Sequence, residues 1–522
     1  MSLSASPLYA LHRSGRKAPL RLDSQGHIQT AIHEPRLPFG SIHTENLTPL
    51  FQVDGVYGLN SSLVSYGSSG SGQVTSSDSM MVCQTGATIY SQAQLQSRKR
   101  LRYRPGQGVV GRFAARFSDG IANSFQVAGF GHADDGVYFG YRNAEFGILY
   151  VTRGVREIRT FTVTTRSTTA ENITITLNGV ANTVAVTNAA NIQLTVLEIS
   201  RGTYTGWKAQ PLGTTVVFVR DAAGVANGTY SITATTAAGT FAQTKAGAAS
   251  TDTFIAQSGW NGDTLDGSGN QYNPTGFLLS PTRFNVFQVG IQYLGAGCIT
   301  FFIETHEPDG DSTFTLVHTL RFPGTLDAPS FGNPSFPFTM AVYSAGSTTN
   351  LTLRVSSFAG FIEGRKILHG PRFSYFNSST AIDATNYTAL FSVFNPWYNA
   401  GANRTNQAVI NIISLTCALK HTSPCIIYLI KGGTINGNVS FTNFDASSAS
   451  NWTTTAHTIT TPTGAQILWS GHLGDTGNFD HDFQSIIEEL TLQPGEWLTV
   501  AAKAITGTPA YVTASLNTRE DN

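Results

Sequence analysis

Charge is what this sequence has least of. Only 12% of its 522 residues are Asp, Glu, Lys or Arg, about half the share of an average soluble protein. The 32 basic and 32 acidic residues cancel. A neutral chain has no global field to draw it onto nucleic acid or anionic lipid, which excludes bulk nucleic-acid binding. Long apolar runs are missing as well. No stretch approaches the roughly 18 apolar residues that span a bilayer, and the start Met1-Ser2-Leu3-Ser4-Ala5-Ser6-Pro7 lacks a signal-peptide core. The expectation is a soluble chain with no membrane insertion and no export signal of its own.

Cysteine is scarce and unpatterned. Cys83, Cys298, Cys417 and Cys425 show no CxxC spacing and lie too far apart to suggest zinc ligation. Two readings stay open for Cys417 and Cys425: a pair facing across a hairpin around Lys420–Pro424, or two small buried thiols. Catalytic signatures are absent too. There is no GxSxG elbow, and the twelve histidines are scattered. His306 and His318 straddle a predicted hairpin, where satisfied or solvated side chains explain them better than a ligand pair. Asp134, Asp135, Glu145, Glu304 and Asp309 are available as carboxylates, but Asp134-Asp135-Gly136 and Asp309-Gly310-Asp311 have a plainer role as turns. The segment Asp263–Asn270 is rich in oxygen ligands, yet it departs from EF-hand spacing and reads as a solvated loop or a calcium loop. No catalytic, cofactor-binding or metal residue is expected, and the chain is expected not to be an enzyme.

What the sequence has in quantity is glycine, 52 residues, together with Ser, Thr and Asn, a composition suited to pleated surfaces and tight turns. Along Val109 to Phe117, Phe113, Ala115 and Phe117 alternate with Arg112, Ala114 and Arg116, the period of a half-buried strand. Phe125 and Val127, Val137 to Tyr141 and Phe146 to Val151 continue a meander, with turns at Asp134-Asp135-Gly136 and Arg142-Asn143-Ala144. Between Ser167 and Ala249 the texture changes. Ile173–Leu177 and Thr183–Thr187 flank Asn178-Gly179 as a hairpin, and Ile192, Val196 and Ile199 follow asparagines able to cap a helix.

The predicted organisation is mainly β. Residues 1–45 form an anchoring arm, and 46–166 with 250–365 form a large antiparallel β-sandwich. Residues 167–249 are a small α+β insert, and 371–522 form a C-terminal jelly-roll-like β-sandwich. Phe483, Ile486, Ile487 and Leu490 suit a short helix or one arm of a hairpin. Arg98, Lys99, Arg100, Arg102 and Arg104, like His12, Arg13, Arg16, Lys17 and Arg21, read as a solvated strand edge or arm. Trp397-Tyr398-Asn399 and Asn451-Trp452 are the candidate exposed platforms for sugar stacking.

The segments YRPGQG (103–108), GFGHADDGVYFGY (129–141) and EFGILY (145–150) resemble virion structural proteins of tailed phages and large algal double-stranded DNA viruses. So do WNGD (260–263), FIEG (361–364) and LQPGEWLTVAA (492–502), and the insert is similar to a small domain of phage tail and capsid proteins. The resemblance implies a minor capsid, vertex or spike component located on the virion. Its implied partners are other virion proteins, a homo-oligomer and a host surface glycan, with no catalytic residues to carry over. The alternative is a glycan-binding tail-fibre or adhesin protein for host attachment.

Overall fold

A computed structural model describes residues 47–306, 312–364, 370–378, 380–420, 423–437, 439–474, 477–483, 490–506 and 510–521, apart from the side chains of 461–464. It also describes the backbone of a hairpin, Tyr9–Leu11 with Lys17–Pro19. The rest of the proposed arm, the Asp309-Gly310-Asp311 turn and residues 484–489 of the alternative helix lie outside the described residues. The chain is mainly β, as its alternation predicts, with one α-helix among the described residues. It divides into two compact units, each built from two separate stretches: Met1–Thr152 with Asp252–Lys366, and Arg153–Thr251 with Ile367–Asn522.

Unit 1 is a sandwich of two sheets. The first runs Thr251–Ala256, Glu145–Thr152, Gly136–Arg142, Ser124–Gly131, Ser335–Ser344, Gln92–Arg102 and Val64–Ser69. The second runs Ser312–Leu320, Ile299–His306, Asn285–Ile291, Val109–Arg116, Thr352–Glu363, Met80–Gln84 and Gln73–Ser77, with Leu47–Asp54 also paired to Thr352–Glu363. Phe113, Ala115 and Phe117 are buried on the inner face while Arg112 and Arg116 point away, as the two-residue period requires. Rings then fill the space between the sheets. Phe113 stacks on Phe287 at 5.2 Å, and Phe338 stacks on Phe358 at 4.1 Å. Packing is close enough to dictate glycine at position 111: a Cβ there would stand 2.1 Å from Cε2 of Phe130. Arg98, Lys99, Arg100 and Arg102 correct the expectation of a solvated edge. They are half-buried on Gln92–Arg102, where residues 100–102 pair with residues 335–337 and the Arg98 amide donates to the Leu63 carbonyl.

Unit 2 begins with the 153–251 stretch. Asn178 and Gly179 both take positive φ, +52° and +81°, the turn that joins Glu171–Leu177 to Val180–Val186. The helix Ile192–Ser200 starts where Asn191 accepts a hydrogen bond from the Leu194 amide, and it buries Val196 and Ile199. Residues 370–521 form a second sandwich. One sheet runs Arg372–Phe376, Ala510–Asp521, Val409–Leu419 and Asn478–Asp482. In the other, Tyr387–Phe394, His457–Leu473, Cys425–Asn436 and Trp497–Ala504 pair in turn, and the last pairs back to the first, closing a four-strand ring. The two parts of the unit are fastened together. Leu197 of the helix shares a cluster with Phe394, Ile430, Phe441 and Ala501. The Gln210 amide brackets the Tyr398 backbone, donating to its carbonyl at 3.2 Å and accepting from its amide at 2.9 Å.

Candidate functional site

Unit 2 carries an aromatic shelf on the 370–521 sandwich, where an edge strand of one sheet meets the outermost strands of the other. On Arg372–Phe376, the alternation turns Tyr375 into the core and leaves Phe376 58% exposed. Across from it, Trp452 stands half-buried between the buried Asn451 and Thr453. Trp452 lies 6.5 Å from Phe376, 5.1 Å from Phe444 and 6.1 Å from Tyr375, and Phe444 packs 4.4 Å from Tyr375. Phe376, Trp452 and Phe444 thus form a partly exposed surface over the fully buried Tyr375.

A hydrogen-bonded floor holds the shelf in place. The Tyr375 hydroxyl meets Ser450 Oγ at 2.7 Å, and Ser450 Oγ meets Ser448 Oγ at 2.7 Å. The fully buried Glu520 accepts from Ser448 Oγ and, at 2.7 Å, from the Ala449 amide. Burial raises the Glu520 pKa against the pull of these bonds, and burial pushes Tyr375 up to about 12. The loop between the rings is tied down as well: Asp445 accepts from the Ser447 amide at 2.8 Å, and the Phe444 amide donates to the Ser450 carbonyl at 3.1 Å. Apolar ring faces on a rigid polar base suit stacking against the C–H face of a sugar or another flat ligand.

Of the residues singled out in the sequence, Trp452 belongs to this shelf. Trp397 and Tyr398 do not. Tyr398 is buried against Ile158, Val217 and Val219, with Trp397 packed beside it. Gly495 of LQPGEW is fixed by the same ring, since a Cβ would meet Trp397 Cζ2 at 2.0 Å. Asp263 does not open toward a cation. Its carboxylate accepts from the Leu265 amide, Asn273 Nδ2, and the Thr275 amide and hydroxyl, all within 3.0 Å, while Asp266 turns outward to the Ser268 amide. Among the described residues, no group of three or more His, Cys, Asp or Glu side chains is placed to hold a metal ion. His318 is buried, with Nδ1 accepting from the Asn261 amide at 3.1 Å, and His306 lies edge-on to Phe277. Asp135 is a buried cap for the Gly332 and Asn333 amides. Cys417 and Cys425 are both free thiols buried in one core.

Sequence reading missed Phe376, Phe444 and the Glu520 floor. The FSYF alternation at 373–376 was the available signal for the strand. Nothing local announces Glu520, which lies 72 residues from Ser448 and meets it only because the fold brings the loop at 444–450 against the strand Ala510–Asp521. A buried Ser392–His457 contact of 2.8 Å, with Thr499 at 2.6 Å from Ser392, was also invisible in the sequence. It resembles a nucleophile–base pair in distance, but all three side chains are buried, and burial lowers the His457 pKa.

Comparison with known proteins gives no family: no family model matches the chain, and no curated protein matches it. Solved structures do match, distantly. Lectin II from Ulex europaeus is 11% identical, with 60% of this chain and 97% of the lectin covered, at a TM-score of 0.20. The triple jelly roll fold and turret assembly of an archaeal virus matches at 7% identity over 92% of this chain and 98% of that one, with a TM-score of 0.17. A GH43 glycoside hydrolase, engineered in its active site to display endo-xylanase and exo-arabinofuranosidase activity, is 12% identical over 67% of this chain and 50% of its own, at 0.24. At such scores none of them assigns an activity. The last nevertheless corrects the expectation that the chain is not an enzyme. Glycoside hydrolysis needs only two carboxylates brought together by the fold, so missing sequence signatures are no ground for excluding catalysis.

Proposed function

We propose that this chain is a surface component of a virion that binds host glycan through the aromatic shelf of unit 2. The observation that carries the reading is the shelf itself, in which Phe376 and Trp452 offer ring faces above a base locked by Tyr375, Ser448, Ser450 and Glu520. The virion assignment is supported by the sequence landmarks. GFGHADDGVYFGY and EFGILY form adjoining strands of unit 1, and LQPGEWLTVAA forms a turn and a ring strand of unit 2. Such segments fix a scaffold, and a low-charge scaffold of this kind meets neighbours through protein contacts.

The test is a glycan array on the full chain, followed by titration of the best ligand against Trp452→Ala and Phe376→Ala. Each substitution is expected to weaken binding by about tenfold, the worth of one stacking contact. Unchanged affinity in both variants removes the shelf from the site, and silence across the array removes the glycan. Mass spectrometry of purified particles tests the virion assignment separately, and absence of the chain from them ends it.

A further inference from the structure

The open side of the unit 1 sandwich differs from the rest of the surface. From Gly55 to Ser77 the chain has no charged residue. This stretch supplies the last strand of each sheet, Val64–Ser69 in one and Gln73–Ser77 in the other, and each has a ladder on one side only among the described residues. Ser65, Tyr66, Gly67 and Ser68 are exposed, so beyond the buried Val64 the first strand stands clear of the core on both faces. Tyr57 is 97%, Val56 58% and Tyr66 51% exposed. Sheet edges are ordinarily blunted by lysine, proline, bulges or covering loops, because unpaired N–H and C=O groups recruit other strands. None of those residues is present here.

Gly67 adds an independent observation. A Cβ built on it meets nothing within 4 Å, and its φ is not positive. Neither packing nor backbone conformation within this chain requires glycine there. The ladder from Val64 to Ser69 runs without a register shift, so Gly67 marks no bulge there, and a strand glycine of this kind leaves room for close approach by another backbone or a ligand.

We propose that Val64–Ser69 is a homotypic interface, pairing antiparallel with the same strand of a second copy about a twofold axis. Self-pairing sets the edge against a copy of its own sequence, so a charged edge would meet its own charge and a neutral one does not. In the register centred on the axis at Gly67, the two Gly67 backbones face each other and Tyr66 lies opposite Ser68 of the second copy on the other face. Ser65 then faces Ser69 of the second copy, and the seven-stranded sheet continues through the axis.

Analytical ultracentrifugation of the full chain reads this directly. The expected result is a concentration-dependent dimer that Tyr66→Lys with Ser68→Lys weakens by at least about tenfold, because like charges then meet across the axis. Gly67→Val favours a strand in the single chain yet blocks the approach, so it is expected to keep the thermal midpoint and lose the dimer. Mild oxidation of Ser65→Cys with Ser69→Cys is expected to give covalent dimers. A chain that stays monomeric to about 0.1 mM, or a dimer indifferent to both edge variants, overturns the proposal. Association only with a different virion protein does the same.

Discussion

The two units solve the problem of a sandwich core in different ways. Unit 1 fills the space between its sheets with rings, among them Phe113, Phe130, Phe139, Phe287, Phe301 and Phe338, all buried. The C-terminal sandwich of unit 2 relies on aliphatic residues such as Ile410, Leu415, Leu429 and Val500. Around that aliphatic core it keeps buried polar networks: Ser392–His457–Thr499, the Glu520 floor, and Asn395 bridging the Ala408 and Leu492 carbonyls. A core of interlocked rings resists change of volume. A core bordered by polar networks resists loss of a partner, because a buried group left unsatisfied costs more than the bond itself contributed.

That contrast can be broken most sharply by Phe338→Ala. Phe338 packs on Phe113, Phe130 and Phe358, and its removal is expected to destabilise unit 1 by about 3–5 kcal/mol. Denaturant unfolding followed by hydrogen exchange in each unit would show the loss confined to unit 1. A loss shared equally by both units would mean that they do not unfold separately. Asn395→Ala is the matching test in unit 2. Freeing the Ala408 and Leu492 carbonyls and the Asn406 amide that donates to Asn395 Oδ1 is expected to cost about 1–3 kcal/mol. An effect under about half a kcal/mol would show that water replaces the network at no cost.

The smallest expected effect is a matter of pH. Burial, aided by the charge of Arg321, lowers the His318 pKa to about 4. The unfolded chain therefore binds the proton first, and unit 1 loses stability as pH falls from about 6.5 toward 4. His318→Gln should flatten that part of the curve. Identical slopes for both proteins would place the acid sensitivity in other groups.

Local signals were legible in the sequence, and distant pairings were not. Asn178-Gly179 and Asn191 announce a turn and a cap because backbone conformation there depends on one or two residues. The Phe113–Phe117 alternation reveals its inner face for the same reason. Leu351–Val355 and Ala359–Ile362 read as two strands, yet Thr352–Glu363 is one, bent where its register shifts between Val355 and Ser357. Trp397 and Tyr398 sit among polar residues in sequence, and only the fold brings Ile158, Val217 and Val219 over them. The shelf combines both cases: Trp452 stood out by its neighbours, while Glu520 joins it through a ladder between strands far apart in the chain.

Each unit is assembled from two stretches separated by part of the other. On the ribosome this sets an order. Residues 1–152 emerge without the strands that complete their sheets and wait until Ser335–Ser344 and Thr352–Glu363 have followed. The 153–251 stretch exposes Leu197 and Val217 until the last third of the chain arrives to cover them. Synthesis at about 5–20 residues per second leaves apolar surface and unpaired edges open for many seconds. Chaperone demand, and the yield of correctly folded chain, should therefore depend on how fast residues 252–522 are translated.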